Sequence, residues 1–178
     1  MNNLPLTVPE TVTFDQAIAL TQSLLSQLEA GAQPEIAAAI AELVKTENGA
    51  RGFFVTYLTS ELSTADNPSP DIVQALQSSP DIVADLLAKN LAMSTAQAVF
   101  HQRNQKQDMV LGSERVKRRT AHLIELLDLP SVYERCQKLL ESATTGKGSY
   151  KAFLERWGYD AQQRQEICQA LQQVLPKT

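Results

Sequence analysis

The stretch from Pro80 to Asp128 decides the fold, and it reads PDIVADLLAKNLAMSTAQAVFHQRNQKQDMVLGSERVKRRTAHLIELLD. It contains no proline after the first residue and a single glycine, Gly112, so its composition does not force a helix to end. A continuous helix of this length would run roughly 70 Å at about 1.5 Å per residue, which is too long for a compact chain of 178 residues. We therefore predict that the helix is interrupted or protrudes.

The apolar pattern of this stretch stops near its middle. Small and apolar residues line one face as far as Ala98, whereas residues 101–108 form an unbroken polar run. A helix that is polar on every side has no face to bury in a core. The sequence predicts two helices, at about 80–102 and 113–128, with an exposed joint or an extended rod between them.

Residues that start and end helices recur along the rest of the chain. Capping boxes are predicted at Thr13 with Gln16, Ser131 with Glu134, and Asp160 with Gln163. The pentapeptide Ser-Pro-Asp-Ile-Val occurs at 69–73 and again at 79–83, and it suits two further helix starts. The pair Asn48-Gly49 predicts the end of the second helix.

One run, residues 53–59, has the aromatic and β-branched composition of a strand. Because no second run offers it a partner, we predict a buried helix there instead. The fold class is predicted as all-α, a compact bundle of about seven helices with one long central or interrupted helix. Residues 1–12 are predicted to form an extended arm, and residues 13–178 a single domain with a candidate sub-boundary at 64–70.

The single tryptophan, Trp157, lies in a short segment between Tyr150 and Gly158. Large aromatic side chains dominate protein cores, so we predict that Trp157 is buried beside Phe153. Its replacement by alanine would then cost about 3–5 kcal/mol of stability.

Composition places the chain among ordinary globular proteins, with 43% apolar and 20% charged residues. No apolar run approaches the length that spans a bilayer, and the N-terminus lacks the features of a secretion signal. Cys136 and Cys168 lie far apart and form no Cys-x-x-Cys motif, which favours reduced thiols. We therefore expect a cytoplasmic protein without a membrane span.

Charge is distributed unevenly along the chain. Residues 1–100 carry 3 basic and 11 acidic side chains, whereas residues 101–178 carry 13 basic and 9 acidic ones. Such a distribution favours self-association, steering of an anionic partner, or packing of the two halves on each other.

The densest positive charge is a cluster formed by Arg115, Lys117, Arg118 and Arg119. Arginine pairs bidentately with carboxylates and phosphates, so the cluster is a candidate partner-binding face. The sequence disfavours nucleic acid as a partner, because no aromatic residues lie near the cluster and the sequence pI is about 5.2. The remaining interpretations are an acidic protein surface, a second copy in a homodimer, or a helix face that is solvated or paired internally.

A different interpretation concerns Ser94, Ala98 and His101, which continue one helix face. Small residues allow close approach of a flat cofactor, and a terminal histidine could ligate it, so this face could line a ligand cleft. No catalytic constellation and no metal site stand out, since His122 with Glu125 lacks further ligands and residues 146–149 lack the preceding glycine of a phosphate loop.

The segment Glu47-Asn48-Gly49-Ala50-Arg51-Gly52-Phe53-Phe54, within a glutamine-rich and lysine-poor chain, resembles uncharacterised helical proteins of cyanobacteria over roughly residues 30–175. This resemblance implies no known function and no catalytic residues. The leading hypothesis is a non-catalytic interaction protein in assembly or regulation that needs no cofactor and uses the basic helix face. The alternative is a small-molecule or cofactor-binding helical protein, enzymatic or not, with a cleft near His101.

Overall fold

The computed structural model describes residues 6–29, 31 and 33–177. In that part of the chain there are nine α-helices, a 3₁₀ turn at Ser63–Asp66 and no strand. The helices are α1 Phe14–Glu29, α2 Gln33–Leu43, α3 Glu47–Thr59, α4 Pro70–Gln77, α5 Pro80–Arg103, α6 Gln107–Leu127, α7 Pro130–Thr145, α8 Lys151–Trp157 and α9 Ala161–Val174. The predicted all-α class is confirmed, including the helix over residues 53–59, but the predicted number of helices was too low.

The contacts of the chain divide it into two compact units, one ending at Leu86 and the other beginning at Leu87. The division falls inside α5, whereas the candidate sub-boundary at 64–70 lies within the first unit. Of the predicted N-terminal arm, residues 1–5 lie outside the described part. Residues 6–12 precede α1 without forming a helix, and Val12 is buried.

The first unit is organised by the close packing of α3 against α1. A Cβ added at Gly52 would lie 2.4 Å from the Cβ of Ala17, and one at Gly49 would lie 2.0 Å from the carbonyl oxygen of Leu43. Glycine is therefore required where α3 meets its neighbours. The prediction that Asn48-Gly49 ends the second helix was wrong, because α3 already begins at Glu47 and is capped by Thr46.

The aromatic side chains of α3 form the centre of this unit's core. Phe53, Phe54 and Tyr57 are each 1% exposed, and the ring centroid of Phe53 lies 5.2 Å from that of Phe54 and 5.1 Å from that of Tyr57. Offset and edge contacts of this kind add to the stabilisation from burial. The strand-like composition of the run thus reflects a helix that is buried on a wide face.

In the second unit α9 packs against both α7 and α6. Each helix contributes a stripe of fully buried apolar side chains, including Leu123 from α6, Leu139 from α7, and Ile167 and Leu171 from α9. Ile167 and Leu171 lie four residues apart, and a spacing of three or four residues places apolar side chains on one face of a helix. One side of α6 is therefore buried in the core of this unit, and another side is exposed to solvent.

The long stretch is interrupted at residues 104–106, where Gln105 adopts a positive φ of 57°. The amide of Lys106 donates to the carbonyl oxygen of His101, and that of Gln105 donates to the carbonyl oxygen of Gln102. These two bonds are the Schellman pattern that commonly ends a helix. The predicted break is confirmed but is narrower than expected, because α6 begins at Gln107 rather than near residue 113.

Two of the three predicted capping boxes are present. Thr13 and Gln16 exchange backbone-to-side-chain bonds of 2.9 and 3.1 Å, and Asp160 and Gln163 exchange bonds of 3.0 and 2.9 Å. The box at Ser131 was wrong, because α7 begins at Pro130, two residues before the start that a cap at Ser131 would give. Pro130 has no N–H group that would need a hydrogen-bond acceptor, and no side chain of the N-cap residue, Leu129, caps the start of α7.

Trp157 is 47% exposed, so the prediction of a buried tryptophan was also wrong. The places beside Phe153 are taken by Tyr150 and Tyr159, whose ring centroids lie 6.3 and 6.5 Å from its own. Trp157 is instead the last residue of α8, and the guanidinium of Arg156 lies 6.0 Å from the centre of its ring.

No helix in the described ranges is both long enough and apolar enough to cross a membrane.

Candidate functional site

Helix α6 presents two different faces within the second unit. Arg119, Thr120, Leu123, Ile124 and Leu127 are buried. A second stripe consists of Glu114, Lys117, Arg118, Ala121 and Glu125, each of which lies three or four residues from another member, so that they share one side of the helix. Four charged groups of α6 therefore lie on the same side of this helix.

This second stripe borders a groove of about 220 Å³ in the second unit. The apolar lining comes from Leu91 of α5, Ala121 of α6, and Ala170 and Val174 of α9. The polar lining comes from Glu114, Lys117, Arg118, Glu125 and Gln173. We call this feature the α6–α9 groove. The small apolar side chains of the groove leave room for a side chain from another molecule. The charged residues at its rim can favour a partner whose charges are complementary.

The four residues of the predicted basic cluster do not share one environment. Lys117 and Arg118 both line the α6–α9 groove, Arg118 being exposed and Lys117 half-buried. Arg115 is half-buried and does not line the groove. Arg119 is only 4% exposed and belongs to the buried face of α6. The structure therefore brings two of the four basic groups to the groove and places one in the interior.

A polar network fixes the start of α9 near the end of α5. Arg103 donates to both carboxylate oxygens of Asp160, at 2.5 and 3.1 Å, and to the side-chain oxygen of Gln162 at 2.6 Å. The side chain of Gln163, which completes the cap of α9, donates to the carbonyl oxygen of Ala96 at 3.2 Å. The bidentate bond from Arg103 and the cap together lower the pKa of Asp160 to about 2.

The lowered pKa of Asp160 predicts how stability depends on pH. Because the folded-state pKa lies below the ordinary value of 3.8, the charged form stabilises the fold above about pH 4, and this stabilisation is lost as the pH falls towards 2. Asp160→Asn keeps a capping oxygen but removes the charge, so we expect it to lower the melting temperature at pH 6 and to match the wild type near pH 2. Thermal melts at both pH values check this, and an equal difference at both would contradict it.

The residues of the alternative ligand cleft are all buried. Ser94 is 6% exposed and donates to the carbonyl oxygen of Asn90 at 2.8 Å, and Ala98 is 6% exposed. His101 is 9% exposed, with its ring centroid 5.5 Å from that of Phe100, and no hydrogen-bond partner of its Nδ1 is found within the described residues. A ligand role for these three residues stays a prediction.

The chemistry of the cysteines gives no sign of a reactive thiol. Burial raises the pKa of Cys136 to about 12, which keeps its thiol protonated and unreactive at neutral pH. Cys168 is half-buried, and its sulfur lies 3.6 Å from the hydroxyl of Thr144. Across the residues that the structure places, no group of three or more His, Cys, Asp or Glu side chains could hold a metal ion.

The model of the family described as uncharacterised conserved protein UCP020893 matches residues 13–174 of the chain. The chain belongs to this family. A search of curated proteins and a search of solved structures each found no match. Membership in UCP020893 agrees with the predicted resemblance to an uncharacterised family, while the cyanobacterial origin stays a prediction.

The region matched to UCP020893 begins at Thr13, which caps α1, and ends at Val174, the last residue of α9. All the helices of the described residues therefore lie within the family's shared region, including α6 and α9 of the groove. No pattern in the sequence indicates that residues of α5 and α9 line the groove. The contribution of α6 could have been found, because the spacing of Glu114, Lys117, Arg118, Ala121 and Glu125 indicates one helix face.

Proposed function

We propose that this protein is a non-catalytic interaction protein, active in assembly or regulation, that binds an acidic partner through the α6–α9 groove. The observation that supports this proposal is the position of Lys117 and Arg118 on the rim of a groove with an apolar floor. Apolar side chains supply affinity when they are buried in such a groove, while charged rim residues control the rate and selectivity of association. A cytoplasmic location is part of this proposal.

The size of the groove favours a side-chain anchor over a small-molecule ligand. Its volume of about 220 Å³ holds roughly seven waters at about 30 Å³ each, and lies below the lower end of ordinary ligand pockets at about 300 Å³. One or two apolar side chains of a partner would occupy it. The groove is therefore better suited to a protein surface than to a cofactor.

The rim charges favour a protein over a nucleic acid. Glu114 and Glu125 lie in the same stripe as Lys117 and Arg118, and their carboxylates repel a polyphosphate chain. A protein surface can place carboxylates against the two basic groups and basic or neutral groups against the two glutamates. Complementarity of this kind selects one partner and rejects others.

The test is a charge reversal confined to the groove, Lys117→Glu combined with Arg118→Glu. We expect affinity capture from the native host, quantified by mass spectrometry, to lose the specific acidic partner by at least about tenfold. The reason is that two favourable charge contacts become repulsive at the same time. The melting temperature is expected to change little, because Arg118 is exposed and Lys117 is only half-buried, and charges that water reaches contribute at most about 1 kcal/mol each.

A matched control is Lys147→Glu combined with Arg156→Glu, which makes the same change in net charge at two exposed positions outside the groove. This control should retain the partner. Equal loss from both variants would mean that net charge alone governs binding, and equal retention by both would refute a role for the groove.

A further inference from the structure

The two units of the chain carry opposite net charges. Residues 1–86 contain 2 basic and 11 acidic side chains, a formal net charge of −9, whereas residues 87–178 contain 14 basic and 9 acidic ones, a net charge of +5. The change of sign therefore coincides with the division between the units. A second copy of the chain always brings an acidic unit that complements the basic unit of the first.

The acidic unit also presents one apolar anchor. Among the described residues up to Leu86, Val55 is the large apolar side chain that is exposed, at 44%. It lies on the solvent side of α3 together with Glu47 and Arg51, which precede it by two turns and one turn. We call these three residues the α3 face.

We propose that the α6–α9 groove receives the α3 face of a second copy of this chain, so that the protein self-associates. This inference rests on the proposed function and identifies the partner. Val55 would occupy the apolar floor formed by Ala121, Ala170 and Val174 of the other copy. The volume of about 220 Å³ is sufficient for a valine side chain and part of its helix neighbours.

The charges of the α3 face correspond to those of the rim. Glu47 would lie against Lys117 or Arg118 of the other copy, and Arg51 against Glu114 or Glu125. From Glu47 to Val55 a helix rises about 12 Å, and from Glu114 to Glu125 about 16 Å, at about 1.5 Å per residue. With Val55 level with Ala121 and the two helices parallel, Glu47 and Lys117 are offset along the axis by about 6 Å, and Arg51 and Glu114 by about 4.5 Å, a distance that these long side chains can span.

The first measurement is the molar mass of the full-length protein by light scattering at two ionic strengths. At low salt we expect at least twice the 19.6 kDa of one chain, and at about 1 M salt, where the screening length falls to roughly 3 Å, a return towards one chain. A mass of one chain at every salt concentration and at high protein concentration would overturn the proposal.

The second measurement locates the contact. Chains grown with ordinary and with ¹⁵N nitrogen are mixed and treated with a carbodiimide, which joins a lysine amine directly to a touching carboxylate. We expect mixed-isotope peptides that join Lys117 to Glu47. Self-association with mixed-isotope links that leave out Lys117 would refute this interface.

Variants separate this inference from the proposed function. Val55→Lys should reduce the dimer fraction at least about tenfold, while Trp157→Lys, at an apolar side chain of α8 that is 47% exposed and lies outside the groove, should leave it unchanged. If the wild type is monomeric but loses a captured acidic protein on reversal of Lys117 and Arg118, the self-association fails and the proposed function stands. If neither association depends on these two residues, both fail.

Discussion

Gly52→Ala is expected to lower the free energy of unfolding by about 3 kcal/mol. The new Cβ would lie 2.4 Å from the Cβ of Ala17, 2.9 Å from the carbonyl oxygen of Phe14 and 3.1 Å from the amide of Ile18. Two of these three obstacles are backbone atoms of α1, so the helices must separate, and the cost reaches the upper end for overpacked cores. Urea denaturation of the variant and the wild type measures the difference.

Gly112→Ala is the matched control, because Gly112 also lies inside a helix and a Cβ there would meet nothing within 4 Å. Alanine has the higher helix propensity, so this variant should gain about 0.5–1 kcal/mol. The same substitution is thus expected to have opposite signs at two helical glycines. Stabilisation of both variants would show that α1 and α3 do not approach as closely as described.

Arg119→Glu is expected to destabilise the fold by about 3–5 kcal/mol, whereas Arg118→Glu, one residue earlier, should change stability by at most about 1 kcal/mol. Arg119 is 4% exposed on the buried face of α6, so a carboxylate there would be buried among groups arranged around a guanidinium. Arg118 is exposed, and water screens its charge. Thermal and urea denaturation of the two single variants make the comparison.

Similar losses from the two arginine variants would contradict the two faces assigned to α6. The comparison also matters for function, because a double reversal of Arg118 and Arg119 would mix unfolding with loss of binding. Reversal of Lys117 and Arg118 avoids this problem, since neither is fully buried.

Much of the fold could be predicted because local chemistry sets where helices begin. The boxes at Thr13 and Asp160 satisfy free backbone amides with residues three positions away, so their signal is contained in the sequence. The end of α5 could be located only roughly. It depends on Gln105 adopting a left-handed conformation, and glutamine gives no sign of this as glycine would.

The errors arose where packing between distant segments decides the outcome. Gly49 resembles a helix end from its neighbours alone, but the structure needs it where α3 approaches the end of α2. Trp157 looked like a core residue, yet Tyr150 and Tyr159 take the places beside Phe153. Neither fact follows from helical periodicity within one segment.

The candidate site could be predicted in part. The basic cluster was visible in the sequence, and the spacing of Arg119 from Leu123 and Leu127 could have assigned it to the buried face. The apolar floor could not be predicted, because Leu91, Ala170 and Val174 come from helices whose contacts with α6 are set by tertiary packing.

The most direct test of the groove as a binding surface is the acylation rate of individual lysines, measured by mass spectrometry on the isolated protein at about 1 M salt, where a single chain is expected, and on the complex captured from its host. Lys117 borders the groove, and Lys147 is exposed outside it. We predict that Lys117 reacts at least about fivefold more slowly in the complex while Lys147 is unchanged, because a bound partner excludes reagent and solvent from the rim. Unchanged reactivity of Lys117 in a complex that protects other lysines would contradict the assignment of the groove.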